Sequence, residues 1–162
     1  MVARVFKAGE IAVNAKIRRL HLLIHSSGGV ITDGIAIYNF LRNLPLDITT
    51  YNAGGVSSVA VLPYLAGKNR QASKAATFLI HKSAVAPPAA TAERLKLTAE
   101  YLLIEDGRSE DILREHITLP PEKWEIHSRG DLTLTAEEAV RFGLAHVVGD
   151  WVPPAGATVS TI

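Results

Sequence analysis

This chain of 162 residues contains no cysteine, almost no net charge and no long apolar run. Without cysteine, it has no disulfides, thiolate zinc sites or cysteine nucleophiles. A formal net charge of +1 provides no electrostatic footprint for nucleic acid or an anionic membrane. Apolar stretches such as residues 59–66 are far shorter than a bilayer span, and the N-terminal MVARVFKAGE is charged where a signal peptide is apolar. We therefore expect a soluble, cytoplasmic protein without nucleic acid or membrane as a partner.

The residues that are present have an ordinary globular balance, 48% apolar and 20% charged. This length and composition predict one domain with a substantial core, and there is no internal repeat. After Trp151 the chain consists mainly of prolines and small residues, which are typical of a poorly ordered end. We expect a single domain over residues 1–150 and a flexible tail over 151–162.

Short apolar segments alternate with helical patterns along the chain. Strands are predicted over residues 20–24, 48–51 and 77–80, with helices over 10–19, 30–44, 57–65 and 91–117. Residues 84–90 include two prolines and predict a loop, a short helix follows over 121–127, and a capping box at 135–138 opens the last helix after the strand-like LTLT. This alternation predicts a layered α/β fold with largely parallel strands.

Two glycine pairs, at 28–29 and 54–55, follow predicted strands and lead into predicted helices. Parallel strands bring such turns to the same edge of a sheet, where ligands collect. Ser58 lies at the start of the second of these helices, and His81 ends the next apolar strand. Each residue alone has an ordinary structural explanation. Together they match what a nucleophilic serine, a base and an oxyanion pocket require.

At these residues the sequence resembles the Clp protease proteolytic subunit. LLIHSSGGVITDGIAIYNFL is similar to its strand, Gly-Gly turn and helix, and GGVSSVAVLPYLAG to its Gly-x-x-x-Ser segment. FLIHK matches the strand that carries the family's histidine, and GDLTLTAEEAVRFGLAHVV its C-terminal aspartate block. The resemblance covers residues 20–148, and it places the nucleophile at Ser58, the base at His81, 23 residues later, and the acid at Asp131.

The resemblance implies a layered ClpP/crotonase-like fold with flanking helices and a long protruding "handle" helix. It implies a serine endopeptidase that cleaves unfolded polypeptides or short peptides through an acyl-enzyme, with no metal or other cofactor. Backbone N–H groups of Gly28 or Gly29 and of Val59 would receive the oxyanion. It also implies a ring-forming homo-oligomer, with the helix over 91–117 in a subunit contact.

The sequence departs from the family pattern at several points. Ser26 and Ser27 replace an asparagine and a proline before the glycines, Val59 replaces a methionine, and AVAPPAA replaces a glycine-rich strand after the histidine. Only 19 residues precede the strand at Leu20, where the family carries axial loops and another strand. We therefore expect that peptide hydrolysis does not depend on the Clp-type ATPase that the family resemblance implies, or depends on one docked differently.

Several alternatives remain open at this point. Ser57 is a rival nucleophile, and His25 can line the pocket or serve the structure. A crotonase-like enzyme would bind acyl-CoA and use a glutamate base, and a signal-peptide-peptidase type would use Lys82 or Lys68 as the base. A catalytically degenerate assembly subunit is the non-enzyme alternative.

Overall fold

The computed structural model describes residues 1–86, 89–153 and 155–161. Seven of its elements are α1 (Val2–Asn14), β1 (Arg19–Ser26), α2 (Ile31–Asn43), β2 (Asp47–Ser57), a 3₁₀ turn (Ser58–Ala60), α3 (Val61–Leu65) and β3 (Asn69–Ala72). The others are β4 (Thr77–Ile80), α4 (Ala92–His116), α5 (Pro121–Arg129), β5 (Leu132–Thr135), α6 (Ala136–Arg141) and β6 (Val147–Val148). Alternating strands and helices confirm the α/β class.

One mixed sheet organises the molecule around the long strand β2. β1 pairs with one edge of β2, while β3 and β4 share the other edge, β3 beside residues 49–52 and β4 beside residues 55–57. β6 extends the sheet from β3, and β5 extends it from β4. Four of these five pairings are parallel, and only β4 and β5 are antiparallel. The predicted, largely parallel sheet is therefore confirmed.

The core lies between this sheet and the helices beside it. Ile35, Tyr38 and Leu41 form the buried stripe of α2 that helical spacing predicts. Phe78 and Leu134, opposite each other on β4 and β5, are completely buried. Burying a large apolar side chain contributes about 1.5–3 kcal/mol, so this stripe and pair fix how the strands and helices meet.

Three sequence predictions were wrong in extent. The first helix spans Val2–Asn14 rather than residues 10–19, because Val5, Gly9 and Ala12 lie on one face and are buried. β2 continues to Ser57, so the second glycine pair lies inside the strand, with Gly55 opposite Thr77 of β4. β3 was not among the predicted strands. It is held by Arg70, whose buried guanidinium donates to the carbonyls of residues 67, 143 and 144.

The predicted long helix is present as α4, with 25 residues. Its C-terminal half packs on the rest of the molecule through Leu113, whereas its N-terminal half carries exposed apolar side chains such as Leu103. Within the described ranges, no helix has the length and apolar composition to cross a bilayer. The predicted loop over 84–90 has no helix or strand where it is described, and residues 87 and 88 lie outside the described residues. The single domain and flexible tail stay predictions, and residues 154 and 162 of that tail also lie outside.

Candidate active site

Ser58 occupies a sharp strand-to-helix turn at the carboxyl end of β2. Its φ is +57°, in the left-handed region that non-glycine residues seldom adopt. Such a conformation costs about 1–3 kcal/mol and persists only where the surrounding structure imposes it. Here α2 contributes to that constraint, since the next residue, Val59, lies so close to Gly34 that a Cβ there would be 2.2 Å from Val59 Cγ2. Ser58 is therefore the point at which the chain leaves β2 and enters the helical segment.

The glycine turn after β1 lies directly against this serine. A Cβ built on Gly28 would come within 2.6 Å of Ser58 Cβ and 3.1 Å of Ser58 Oγ. Gly28 also has a φ of +102°, which favours glycine for a second reason. The close approach therefore requires glycine, and the first motif of the sequence is brought to the second as predicted.

The expected oxyanion donors differ in their availability. The Gly28 N–H donates to Ser26 Oγ at 3.2 Å, so it is already engaged within its own turn. Gly29 and Val59 both line the cavity that contains Ser58. Val59 also lies in the first turn of a helical segment, where N–H groups lack helical partners. Of the predicted donors, Gly29 and Val59 line this cavity, whereas the Gly28 N–H is engaged by Ser26.

His81 follows β4 directly and lines the same cavity as Ser58. The antiparallel pairs of β4 and β5 run from Thr77↔Thr135 to Ile80↔Leu132, and one further step places Asp131 opposite His81. The sheet thus brings the three predicted residues to one end of β2, β4 and β5. Within the described residues, none of these three side chains makes a hydrogen bond to another of them, and Asp131 is exposed.

The cavity has a volume of about 520 Å³ and extends from Ser58 between residues 82–85 and the C-terminal half of α4. Two polar contacts fasten the chain after His81 to that helix. Lys82 Nζ donates to Glu110 Oε2 at 2.5 Å, and the Ser83 N–H donates to Asp106 Oδ1 at 2.7 Å. Hydrogen bonds from Lys82 first, and then from Arg114, hold the pKa of Glu110 below its usual value against the effect of burial.

His127 on α5 is a cavity residue that sequence reasoning missed. Its side chain is 3% exposed, and its Nδ1 has no hydrogen-bond partner among the residues that the structure describes. Burial lowers its pKa, and the positive charge of Lys82 lowers it further, so the ring is neutral at pH 7. The only signal in the sequence is its spacing of three from Trp124, which its ring contacts edge-on.

The other candidate residues are placed away from this chemistry or engaged in structure. His25 Nδ1 accepts from the Gly55 N–H at 3.3 Å, which fits a structural role. Lys68 forms an exposed ion pair with Asp47. Ser57 lies in β2 opposite Leu79. Among the described residues, no group of three or more His, Asp or Glu side chains is arranged to hold a metal ion.

Known proteins match this chain at the level of a family. The Clp protease family model matches residues 10–151. Proteolytic subunit 2 of an ATP-dependent Clp protease from Chlamydia muridarum is 34% identical over 127 residues, which make up 77% of this chain and 62% of that protein. Proteolytic subunit 4 from Streptomyces avermitilis is 33% identical over 129 residues, 78% of this chain and 57% of that protein.

A solved structure of a ClpP1 mutant from Listeria monocytogenes superposes with a TM-score of 0.80. The superposition covers 92% of this chain and 84% of that one at 19% identity, and it shows the shared fold. The chain belongs to the Clp protease family, as the match over most of its length shows. It spans about three-fifths of the length of the curated relatives it matches.

Proposed function

We propose that this protein is a serine endopeptidase of the Clp type, with Ser58 as its nucleophile and His81 as its base. The observation that carries the proposal is the strained turn at Ser58, held at φ +57° beside a glycine and opening into the cavity that His81 also lines. Backbone strain at a serine that opens into a cavity is typical of a nucleophile displayed for attack. Membership of the Clp protease family supports the same chemistry.

In this mechanism His81 accepts the proton of Ser58 as Oγ attacks a peptide carbonyl carbon. The resulting oxyanion is received by the N–H groups of Gly29 and Val59, and each such donor is worth about 10²–10³ in rate. Protonated His81 then gives its proton to the leaving amine, so that an acyl-enzyme remains. A water molecule attacks that ester with His81 again as base, which releases the acid product and restores Ser58.

Asp131 is proposed to orient the His81 imidazole and to stabilise its charged form. The support is the β4–β5 register, which places the two residues opposite each other one step beyond Ile80↔Leu132. Directly opposed residues of an antiparallel pair have Cβ atoms about 4.5–5.5 Å apart, a distance that a carboxylate and an imidazole can bridge.

The competing chemistries lack a suitable base. A crotonase-like reaction needs a free glutamate, but the carboxylate of Glu110 in the cavity is held by Lys82 and Arg114 and its pKa is lowered. A serine–lysine peptidase needs a lysine that is free to accept the serine proton, but Lys82 is paired with Glu110. The degenerate assembly subunit remains as the alternative that experiment must separate.

Partners and compartment belong to the same proposal. We propose a homo-oligomeric ring of cytoplasmic subunits that admits polypeptides, without a metal or other cofactor in bond cleavage. The curated relatives are named as subunits of ATP-dependent proteases. Independence of short-peptide hydrolysis from a Clp-type ATPase stays a prediction.

Labelling with a fluorophosphonate, followed by mass spectrometry of the modified peptide, tests the proposal. We expect one adduct on Ser58, loss of labelling and of peptide hydrolysis in Ser58→Ala, and retention of both in Ser57→Ala. Ser57 is the matched control because it is the neighbouring hydroxyl on the same turn. A chain that folds but shows no labelling would be the assembly subunit, and labelling that survives in Ser58→Ala would move the nucleophile elsewhere.

A further inference from the structure

The cavity beside Ser58 continues well beyond the reacting atoms. Its far part lies between the chain after His81 and the C-terminal half of α4, with apolar walls that include Leu62, Leu102 and Leu113. In the proposed function, Ser58 attacks the carbonyl of the residue on the N-terminal side of the scissile bond. The side chain of that residue is therefore the part of a substrate nearest to this space.

Polar side chains line the cavity beside its apolar walls. Lys82 has three N–H donors and uses one of them on Glu110, which leaves two for a ligand. Asp106 receives the Ser83 N–H on Oδ1, so its other oxygen can accept. His127 also lines the cavity, but its unpaired Nδ1 is buried and is not offered to a ligand. The cavity thus offers hydrogen-bond donors and acceptors together.

The charges of this region cancel. Glu110 lies between two cations, with Lys82 on Oε2 and Arg114 on Oε1, and Asp106 supplies the second carboxylate. A lysine or arginine side chain of a substrate would meet Lys82, and an aspartate or glutamate would meet Asp106 and Glu110. An aliphatic side chain would cover donors and acceptors without satisfying them, which costs binding energy.

On the basis of the proposed peptidase activity, we infer that this cavity selects a carboxamide side chain, glutamine or asparagine, on the N-terminal side of the cleaved bond. The carboxamide oxygen accepts from Lys82 Nζ, and its NH₂ group donates to Asp106. Its methylene groups contact the apolar walls. A carboxamide is the neutral side chain that supplies both a strong acceptor and two donors.

Four fluorogenic peptides that differ only at this position, with Gln, Leu, Glu or Lys, test the inference on the full chain. We expect kcat/KM for the Gln peptide to exceed that for the Leu peptide by about tenfold or more, with Glu and Lys lower still, since unpaired buried polar groups discriminate strongly. Equal or faster cleavage of the Leu peptide by the unaltered protein would overturn the inference without any variant.

Lys82→Met sharpens the test, because it removes the donors and leaves Glu110 paired with Arg114. The Gln-to-Leu ratio of kcat/KM should fall by about tenfold in this variant. Lys68→Met is the matched control: it breaks an exposed pair with Asp47 outside the cavity and should leave the ratio unchanged. An unchanged ratio in Lys82→Met would refute the role of Lys82.

Fluorophosphonate labelling of Ser58, run beside the peptide panel, separates this inference from the proposed function. Labelling together with a preference for Leu would refute the cavity's selectivity and leave the peptidase standing. If neither labelling nor cleavage of any peptide occurred, the peptidase would be refuted, and the inference with it.

Discussion

The two halves of α4 belong to different parts of the molecule. Residues 105–116, here called the packed half, bury Leu113 to 3% exposure and supply Asp106 and Glu110 to the cavity. Residues 92–104, here called the arm, carry large apolar side chains on the surface, with Leu103 71% exposed. The packed half therefore contributes to the core and to the candidate site, whereas the arm leaves its apolar side chains uncovered.

The contrast shows what the fold does and does not require. The packed half also ends in a side-chain network, because His116 Nε2 contacts Tyr38 OH at 2.8 Å while Arg42 joins Tyr38 to Glu115. The described part of the chain packs nothing comparable on the apolar surface of the arm, given by Leu95, Leu97, Tyr101, Leu103 and Ile104. Exposed apolar side chains in such a row are typical of an interface between subunits.

The largest effect is expected next to the cavity. Asp131→Asn should lower turnover by about 10⁴ while the free energy of unfolding stays near that of the unaltered protein, because Asp131 is exposed and acts by orienting His81. Steady-state hydrolysis of a fluorogenic peptide and urea unfolding measure the two quantities. Turnover near that of the unaltered protein would mean that Ser58 and His81 work as a dyad or with another acid.

The second prediction compares one deletion in each half of α4. Leu113→Ala should lower the free energy of unfolding by about 2–5 kcal/mol because it leaves a cavity in the core. Leu97→Ala, on the exposed arm, should change it by about 0.5 kcal/mol or less. Urea denaturation at a protein concentration that keeps the chain dissociated gives both values. Equal losses would show that the arm is part of the subunit's own core.

The third prediction addresses the arm as a subunit contact. Leu102 lines the cavity, so a substitution there would change the cavity as well as the contact. Leu103 is exposed and is therefore the better position at which to test the contact. Leu103→Glu should weaken self-association by at least about tenfold, since it places a charge in an apolar contact. Lys96→Glu, on the same exposed half, is the matched control and should assemble. Light scattering at micromolar concentration reports the outcome, and a 17.4 kDa monomer for the unaltered chain would end the idea.

The smallest effect concerns pH and the end of the packed half. Burial, followed by Arg70 and Arg42, lowers the pKa of His116 below its usual value of about 6.5. Below that pH the unfolded chain binds a proton that the folded chain refuses, so stability is present above pH 6.5 and declines as the pH falls. Unfolding free energies at pH 7.5 and 5.5 should differ less in His116→Gln than in the unaltered protein. An identical difference would show that His116 does not contribute to the pH dependence of the unfolding free energy.

Local patterns predicted the parts of the fold that depend on neighbours in sequence. Thr77–Ile80 is a strand with the predicted bounds, and the Thr135 capping box forms with both of its hydrogen bonds. β3 was missed because its stability comes from Arg70, whose acceptors at 143 and 144 lie more than 70 residues away. A polar strand that gains its partners from distant chain has no local signature.

The features of the candidate site likewise divide into those that the sequence predicted and those that it did not. Spacing and family resemblance proposed Ser58 and His81, and the structure brings both to one cavity. The engagement of the Gly28 N–H by Ser26 and the burial of His127 depend on turn geometry and packing, which residue types do not reveal. The position of Asp131 one step beyond the pair Ile80↔Leu132 depends on an antiparallel register between strands separated by the whole of α4.

The strand order also determines when the site can exist during synthesis. β5 and β6 come last in the chain, yet they cover the outer edges of β4 and β3. A ribosome releases the N-terminal part first, at about 5–20 residues per second. Until residues 132–148 emerge, β3 and β4 keep open edges and Asp131 has no strand to place it opposite His81. A nascent chain therefore forms the turn at Ser58 before it can complete the proposed triad, and the proposed hydrolysis would require β5 to be in place.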